Sequence, residues 1–181
     1  MSIKFFVSGT YGVGKSTLCK ELSSRFGIPF YNASDLISEE NNENYKKAKM
    51  VSDKYENQNI LVRKVTDLSN NEDGIILSGH FCIIDANNNV ERLPDFVYKK
   101  LNLETIIIIT DNPNKIKKRL LTRDRVEYDS DLVDCLQKEE IRYAHEISDL
   151  IGANLIMIEA NNFNNVMKMI EHIEKKLEIK L

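Results

Sequence analysis

The chain of 181 residues has no tryptophan, three prolines, three cysteines and seven glycines. Cys19, Cys82 and Cys135 are odd in number and scattered, with no Cys-x-x-Cys pair, which argues against a disulfide framework and against a thiolate zinc site. They read as ordinary thiols of a reducing compartment, so the expected location is cytoplasmic. Long apolar runs are also missing. "TIIIIT" at 105–110 is far short of a bilayer span, and the N-terminal apolar patch is too short for a signal sequence. Nor does one sign of charge dominate: 25 basic against 28 acidic residues give a formal net charge of -3. That balance excludes a broad nucleic-acid face, and any anion site must be a local basic cluster. No membrane contact is expected.

What the chain does have is 42% apolar residues, enough to bury a core, and the length of one domain spanning 1–181. Apolar runs alternate with longer amphipathic stretches, the pattern of βα units. Strands are expected at Lys4–Ser8, Phe30–Asn32, Ile75–Ser78, Glu104–Thr110 and Asn154–Glu159. Runs such as "IIL", "IIII" and "LIMI" are apolar on successive residues, as in a parallel sheet covered on both faces. Helices are expected over Lys15–Phe26, twice within Ser34–Ser69, and over Pro94–Leu101, Pro113–Arg123, Ser130–Leu150 and Phe163–Leu177. Asn112 before Pro113 marks a helix start, and "DANNNVERLP" at 85–94 reads as a hairpin excursion after the third strand.

Three of the seven glycines fall within six residues. Gly9-Thr10-Tyr11-Gly12-Val13-Gly14-Lys15-Ser16 satisfies G-x-x-x-x-G-K-[ST], the Walker A or P-loop pattern, and lies between an expected strand and an expected helix. Each residue type has its own task. Glycines permit the positive φ that turns successive N–H groups inward, and the helix N-terminus adds partial positive charge. Lys15 neutralises terminal phosphates, and Ser16 is a magnesium ligand. The candidate nucleotide site is therefore Gly9, Thr10, Tyr11, Gly12, Val13, Gly14, Lys15, Ser16 and Thr17, with ATP and Mg2+ as the expected cofactors.

Other phosphate-loop classes fit less well. An AAA+ motor needs a longer chain. "LSGHF" at 77–81 ends a buried strand and so is not a transporter signature, and "NKIK" at 114–117 lacks the acid of a guanine reader. "GTYGVGKSTLCKELSSRFGIPFYNASDL" at 9–36 instead resembles the opening of adenylate kinase-type nucleoside monophosphate kinases, particularly their archaeal-type and nuclear branches. The order of "IILSGHF", "LPDFVYKKLNLETIIIIT" and "RLLTRDR" extends the likeness over nearly the whole chain. The resemblance implies a three-layer α/β fold with a five-stranded parallel sheet of order 2-3-1-4-5. It also implies a helical acceptor-binding insertion at about 34–70 and a short lid at about 119–131.

Arg119 and Arg123 lie one helical turn apart, with Arg125 just beyond. The resemblance implies lid arginines here, which with Lys15 would stabilise charge on a migrating phosphoryl group. A basic helix end pairing with Asp124, Glu127 and Asp129 is the other reading. Arg142 on the next helix is a further phosphate contact. On the acceptor side the candidates are Asp35 in "NASDLI", Arg63 in the insertion, and His80 after the third strand, where open parallel sheets border their ligand crevice. Ser34 or Asp35 is also expected to cap the following helix, while Arg63 reads equally as solvated surface and His80 as a structural histidine. His145 and His172 have no metal-ligand spacing. Many relatives place an aspartate where Ser78 stands, and Asp35 and Asp111 are the nearest replacements by topology.

Two functions follow. One is an ATP-dependent phosphotransferase moving the γ-phosphoryl group to a small acceptor, most simply a nucleoside monophosphate such as AMP. The other is an ATP-binding and ATP-hydrolysing switch or assembly factor acting on a macromolecular partner, a reading favoured by Ser78. No apolar stripe names an oligomer interface.

Overall fold

The computed structural model describes residues 3–41, 54–72, 74–125 and 128–178. The expected insertion and lid thus fall partly outside the described residues, at 42–53 and at 126–127, the latter including Glu127.

Alternation of apolar side chains along continuous apolar strands builds the centre. β1 (Ile3–Ser8), β2 (Phe30–Asn32), β3 (Ile75–Ser78), β6 (Leu103–Thr110) and β7 (Asn154–Glu159) form one parallel sheet of order β2-β3-β1-β6-β7. The order implied by the family resemblance is the one observed. Val7 lies beside Ser78 on one side and Ile107 on the other, so β1, β3 and β6 end close together at one edge. β4 (Cys82–Ile84) and β5 (Val90–Arg92) form the antiparallel hairpin expected from the Asn-rich segment. Its turn is held by Asp85, whose carboxylate accepts from the backbone N–H groups of Asn87 and Asn89.

Side chains leave each strand on alternate faces. Phe6, Leu77, Ile106 and Ile108 pack to one side, against α2 (Ala33–Asn41), α3 (Lys54–Ser69), α4 (Asp95–Leu101) and α6 (Ser130–Ile151). Phe5, Val7, Ile76, Ile107 and Ile109 pack to the other, against α1 (Lys15–Phe26), α5 (Pro113–Asp124) and α7 (Val166–Glu178). Burial on both faces explains the unbroken apolar runs of β3 and β6; the expectation drawn from "LIMI" is corrected, because β7 is an edge strand in which Ile156 and Ile158 are buried while Met157 is exposed. Among the described residues no helix is long and apolar enough to cross a membrane.

Three helix starts differ from expectation, α4 only by one residue because Pro94 is its N-cap. α7 begins at Val166 instead of Phe163, because Asn165 accepts from the Lys168 N–H and a short 3-10 turn occupies Ala160–Asn162. α2 begins at Ala33, so neither Ser34 nor Asp35 is its N-cap. Both lie in its first turn, where Asp35 accepts from the Asn32 side-chain amide at 2.9 Å.

Ile107 is fully buried at the centre of β6. Ile107→Ala is expected to lower the unfolding free energy by about 2–5 kcal/mol, the usual range for such truncations. Urea denaturation should show a lower midpoint with an unchanged slope.

Candidate active site

The chain must reverse between the end of β1 at Ser8 and the start of α1 at Lys15, and glycine permits it. Gly9 has φ 144°, and a Cβ there would collide with the Ile109 carbonyl oxygen of the neighbouring strand. Gly14, at φ 111°, turns the chain into α1, and its carbonyl accepts from the N–H groups of Thr17 and Leu18. The Lys15 ammonium folds back over the loop and donates to the carbonyls of Gly9 and Thr10, both at 2.9 Å.

Beside the loop lies a cavity of about 530 Å³. Tyr11, Gly12, Gly14, Lys15, Ser16 and Thr17 line one end, joined by Arg119 and Arg123 of α5. Thr10 and Val13 are buried beneath the loop. His80, Ser78 and Asn32 line the middle, at the ends of the strands. The far end is walled by apolar side chains of α2, α3, α4 and the hairpin, including Ile37, Leu61, Ile83 and Val97, with Gln58 among them.

Arg119 is held in place from two directions. Its guanidinium donates to the Asp111 carboxylate at 2.5 Å and to the Gly12 carbonyl at 3.4 Å. Asp111 is itself fixed, since the Gln137 amide accepts from its N–H and donates to its carbonyl, each at 3.0 Å. The other expected site residues lie apart from the cavity. Arg125 is the exposed C-cap of α5, at φ 56°. Arg63 lies 3.8 Å from Glu40 and 3.9 Å from Glu56 on an exposed helix face. Arg142 pairs with Glu139 at 2.8 Å and is largely exposed. Of the two acids considered as replacements at Ser78, Asp35 is not itself on the cavity lining but accepts from the lining residue Asn32, and Asp111 is committed to Arg119.

The acid that does reach this edge is Glu140 of α6, only 1% exposed. Its carboxylate accepts from the Ser8 hydroxyl and from the backbone N–H groups of Gly9 (3.3 Å), Phe81 (2.9 Å) and Cys82 (2.6 Å). It therefore ties the start of the phosphate loop to the segment that follows β3, and His80 Nδ1 lies 3.9 Å from it. Burial pushes its carboxyl above the ordinary value, opposed by the Ser8 and Phe81 hydrogen bonds and by the Lys15 charge. Sequence reasoning passed over this residue, although the signal was present: Glu140 occupies an apolar position in the stripe Val133, Leu136, Glu140, Tyr143, Ile147.

Thiol chemistry has no place here. Burial pushes the Cys19 thiol up to about 12 and Cys82 higher still. Among the described residues no three His, Cys, Asp or Glu side chains converge as a metal site. Ser16 on the cavity wall suits an ion that keeps its waters and binds mainly phosphate oxygens.

Comparison with known proteins gives the same picture. A family described as "AAA domain" matches residues 8–137. A putative adenylate kinase of Methanocaldococcus jannaschii is 28% identical over 128 residues, 67% of this chain and 59% of that protein, so the match spans less than two thirds of the relative. The shikimate kinase of Acinetobacter baumannii in complex with shikimate superposes with a TM-score of 0.64 at 16% identity, covering 97% of this chain and 95% of that one. The gluconokinase of Sinorhizobium meliloti 1021 gives 0.55 at 11% identity, covering 98% and 97%. At such identities the two structures establish the shared α/β kinase fold and nothing finer.

Glu140→Ala leaves three buried N–H groups without their acceptor and is expected to destabilise the protein by about 3 kcal/mol or more, measured by urea denaturation. The native Glu140 also carries a pH signature. Its folded-state carboxyl is raised, so the folded protein binds more protons than the unfolded chain above the ordinary glutamate value. Its contribution to stability accordingly falls as pH rises from that value to the folded one. Glu140→Gln should remove this slope from a plot of unfolding free energy against pH.

Proposed function

The chain belongs to the AAA domain family, and from that premise we propose that it is an ATP-dependent phosphotransferase that moves the γ-phosphoryl group to a small acceptor, a nucleoside monophosphate such as AMP. The observation that carries this reading is the single cavity in which Lys15, Arg119 and Arg123 meet at one end while an apolar chamber opens at the other. A donor and a small acceptor would fit there end to end. The likeness to a putative adenylate kinase supports the nucleotide acceptor, and the kinase fold supports transfer.

In this scheme an acceptor phosphate oxygen attacks the γ-phosphorus and forms the new P–O bond. The bond from that phosphorus to the bridging oxygen breaks, and ADP leaves with the electron pair. The attacking oxygen is already anionic, so no proton need be removed and catalysis rests on positioning and charge stabilisation. The loop N–H groups hold the donor phosphates, Lys15 turns from the loop carbonyls to them, and Arg119 and Arg123 face the equatorial oxygens. Bound magnesium, held by Ser16, would neutralise phosphate charge. His80 borders the acceptor, while Arg125, Asp35, Arg63 and Arg142 would contribute only on closure over the cavity. The lid that carries Arg119, Arg123 and Arg125 is assigned to about 119–131 and the acceptor-binding insertion to about 34–70.

Ser78 at the end of β3 favours a second reading, in which the protein hydrolyses ATP as a switch on a macromolecular partner. ADP formation measured against nucleoside monophosphates, nucleosides and small alcohols separates the two. Acceptor-dependent turnover is the expected result; hydrolysis that ignores every acceptor and quickens with a protein or RNA partner would establish the switch. Lys15→Ala should abolish turnover. Arg123→Ala should leave ATP binding intact by calorimetry while slowing transfer at least about tenfold, and an unchanged rate would remove Arg123 from the site.

A further inference from the structure

Gln58 is out of keeping with its surroundings. It is buried in α3 with Asn57, Ile60, Leu61 and Val65, is only 6% exposed, and unlike Asn57 lies on the cavity lining. Its neighbours on the cavity wall are apolar: Ile37, Leu61, Val97 and Leu101. A leucine at this position would complete the stripe. The Gln58 amide is not one of the polar groups sealed in the core without a partner; it belongs to the lining of the cavity. A molecule that fills the cavity and closes this amide off from water must pair with it or leave a polar group buried and unsatisfied.

We propose that Gln58 is the specificity-determining residue of the acceptor chamber, and that it selects a flat ring carrying a hydrogen-bond donor and acceptor side by side on one edge. The inference rests on the phosphotransferase reading above and names the feature of the acceptor that the protein reads. The glutamine amide offers an N–H donor and a carbonyl acceptor in one plane, complementary to such an edge. The apolar walls accept the faces of the ring and supply area without polar partners. A polyhydroxylated carboxylic acid suits this chamber poorly, because its hydroxyls and its charge would lose water against Ile37, Leu61, Val97 and Leu101. The chamber therefore favours a nucleobase over a sugar acid, even though the fold is shared with kinases of both shikimate and gluconate.

The test uses the full chain and its Gln58→Leu variant, with AMP, GMP, CMP, UMP, shikimate and gluconate as acceptors. It adds, for AMP, purine riboside 5′-monophosphate, which lacks the exocyclic amine. Gln58→Leu should raise KM for the preferred nucleotide by about 10- to 100-fold, the factor expected for one planar pair of hydrogen bonds. The KM for ATP should stay within about threefold, since the variant lies away from the phosphate loop. If AMP is the preferred acceptor, the variant should no longer distinguish it from the riboside analogue. Thermal denaturation of the variant reports folding independently. Equal loss with AMP and with the analogue, or no change with any nucleotide, overturns the role of Gln58. Turnover with shikimate or gluconate alone overturns the nucleobase assignment and leaves the phosphotransferase reading standing. If no acceptor supports turnover, that reading fails, and calorimetry of the four nucleotides with protein loaded with a non-hydrolysable ATP analogue decides the present one. Binding that Gln58→Leu weakens sustains it; absence of binding, or binding indifferent to the variant, overturns it.

Discussion

A buried carboxylate ties together the segments that follow two neighbouring strands, β1 and β3. In a parallel sheet, strands that end at one edge release backbone N–H groups into loops that have no further strand to pair with, and each needs an acceptor. Glu140 supplies one for three of them, at Gly9, Phe81 and Cys82, and takes the Ser8 hydroxyl as well. Only a carboxylate, with two oxygens and no donor of its own when ionised, can accept from so many groups at once. Its burial is unfavourable in isolation, and the Ser8, Phe81 and Cys82 hydrogen bonds together with the nearby Lys15 charge offset part of that cost, leaving the carboxyl raised. The arrangement fixes the separation between the loop that follows β1 and the segment that follows β3.

The same helix performs a second, parallel task. One turn before Glu140, Gln137 grips the backbone of Asp111 at the end of β6, and Asp111 in turn aims Arg119 at the Gly12 carbonyl. α6 thus reaches the ends of β1, β3 and β6 with two polar side chains set in an otherwise apolar face. A chain with net charge -3 can in this way concentrate Lys15, Arg119 and Arg123 at one place. Local acids and carbonyls satisfy the cations without requiring a basic surface elsewhere.

Most of the fold was legible because it rests on local signals. Consecutive apolar residues in β3 and β6 announce burial on both faces, and Asn112 with Pro113 announces α5. The glycines of the phosphate loop are legible for the same reason: their backbone demands are local. What sequence missed is nonlocal. Nothing near Glu140 in the chain says that Ser8 and Phe81 lie beside it, and a lone acid on an amphipathic helix is ordinarily read as a register slip. Arg142, two residues on, points instead toward Glu139, since a shift of two residues turns the side chain by about half the helix circumference. The starts of α2 and α7 were misplaced where several Ser, Asp and Asn side chains compete to cap one turn, a contest settled by contacts outside that turn.

The two ends of the cavity call for different physics. On the phosphotransferase reading, charge and backbone dipoles at the Lys15 end act on a group whose charge distribution changes as it moves, so they bind the transition state more strongly than either ground state. At the apolar end nothing is charged along the described wall, and contacts there gain the same free energy before, during and after transfer. Such uniform binding cannot speed the chemical step, but it can decide which molecule is present when the step occurs. An isolated amide in that wall discriminates more sharply than extra apolar area would, because a ligand that fails to pair with it leaves a buried polar group unsatisfied. On that reading selectivity and rate are separable, the first residing in α3 and α4 and the second in the glycine loop and α5.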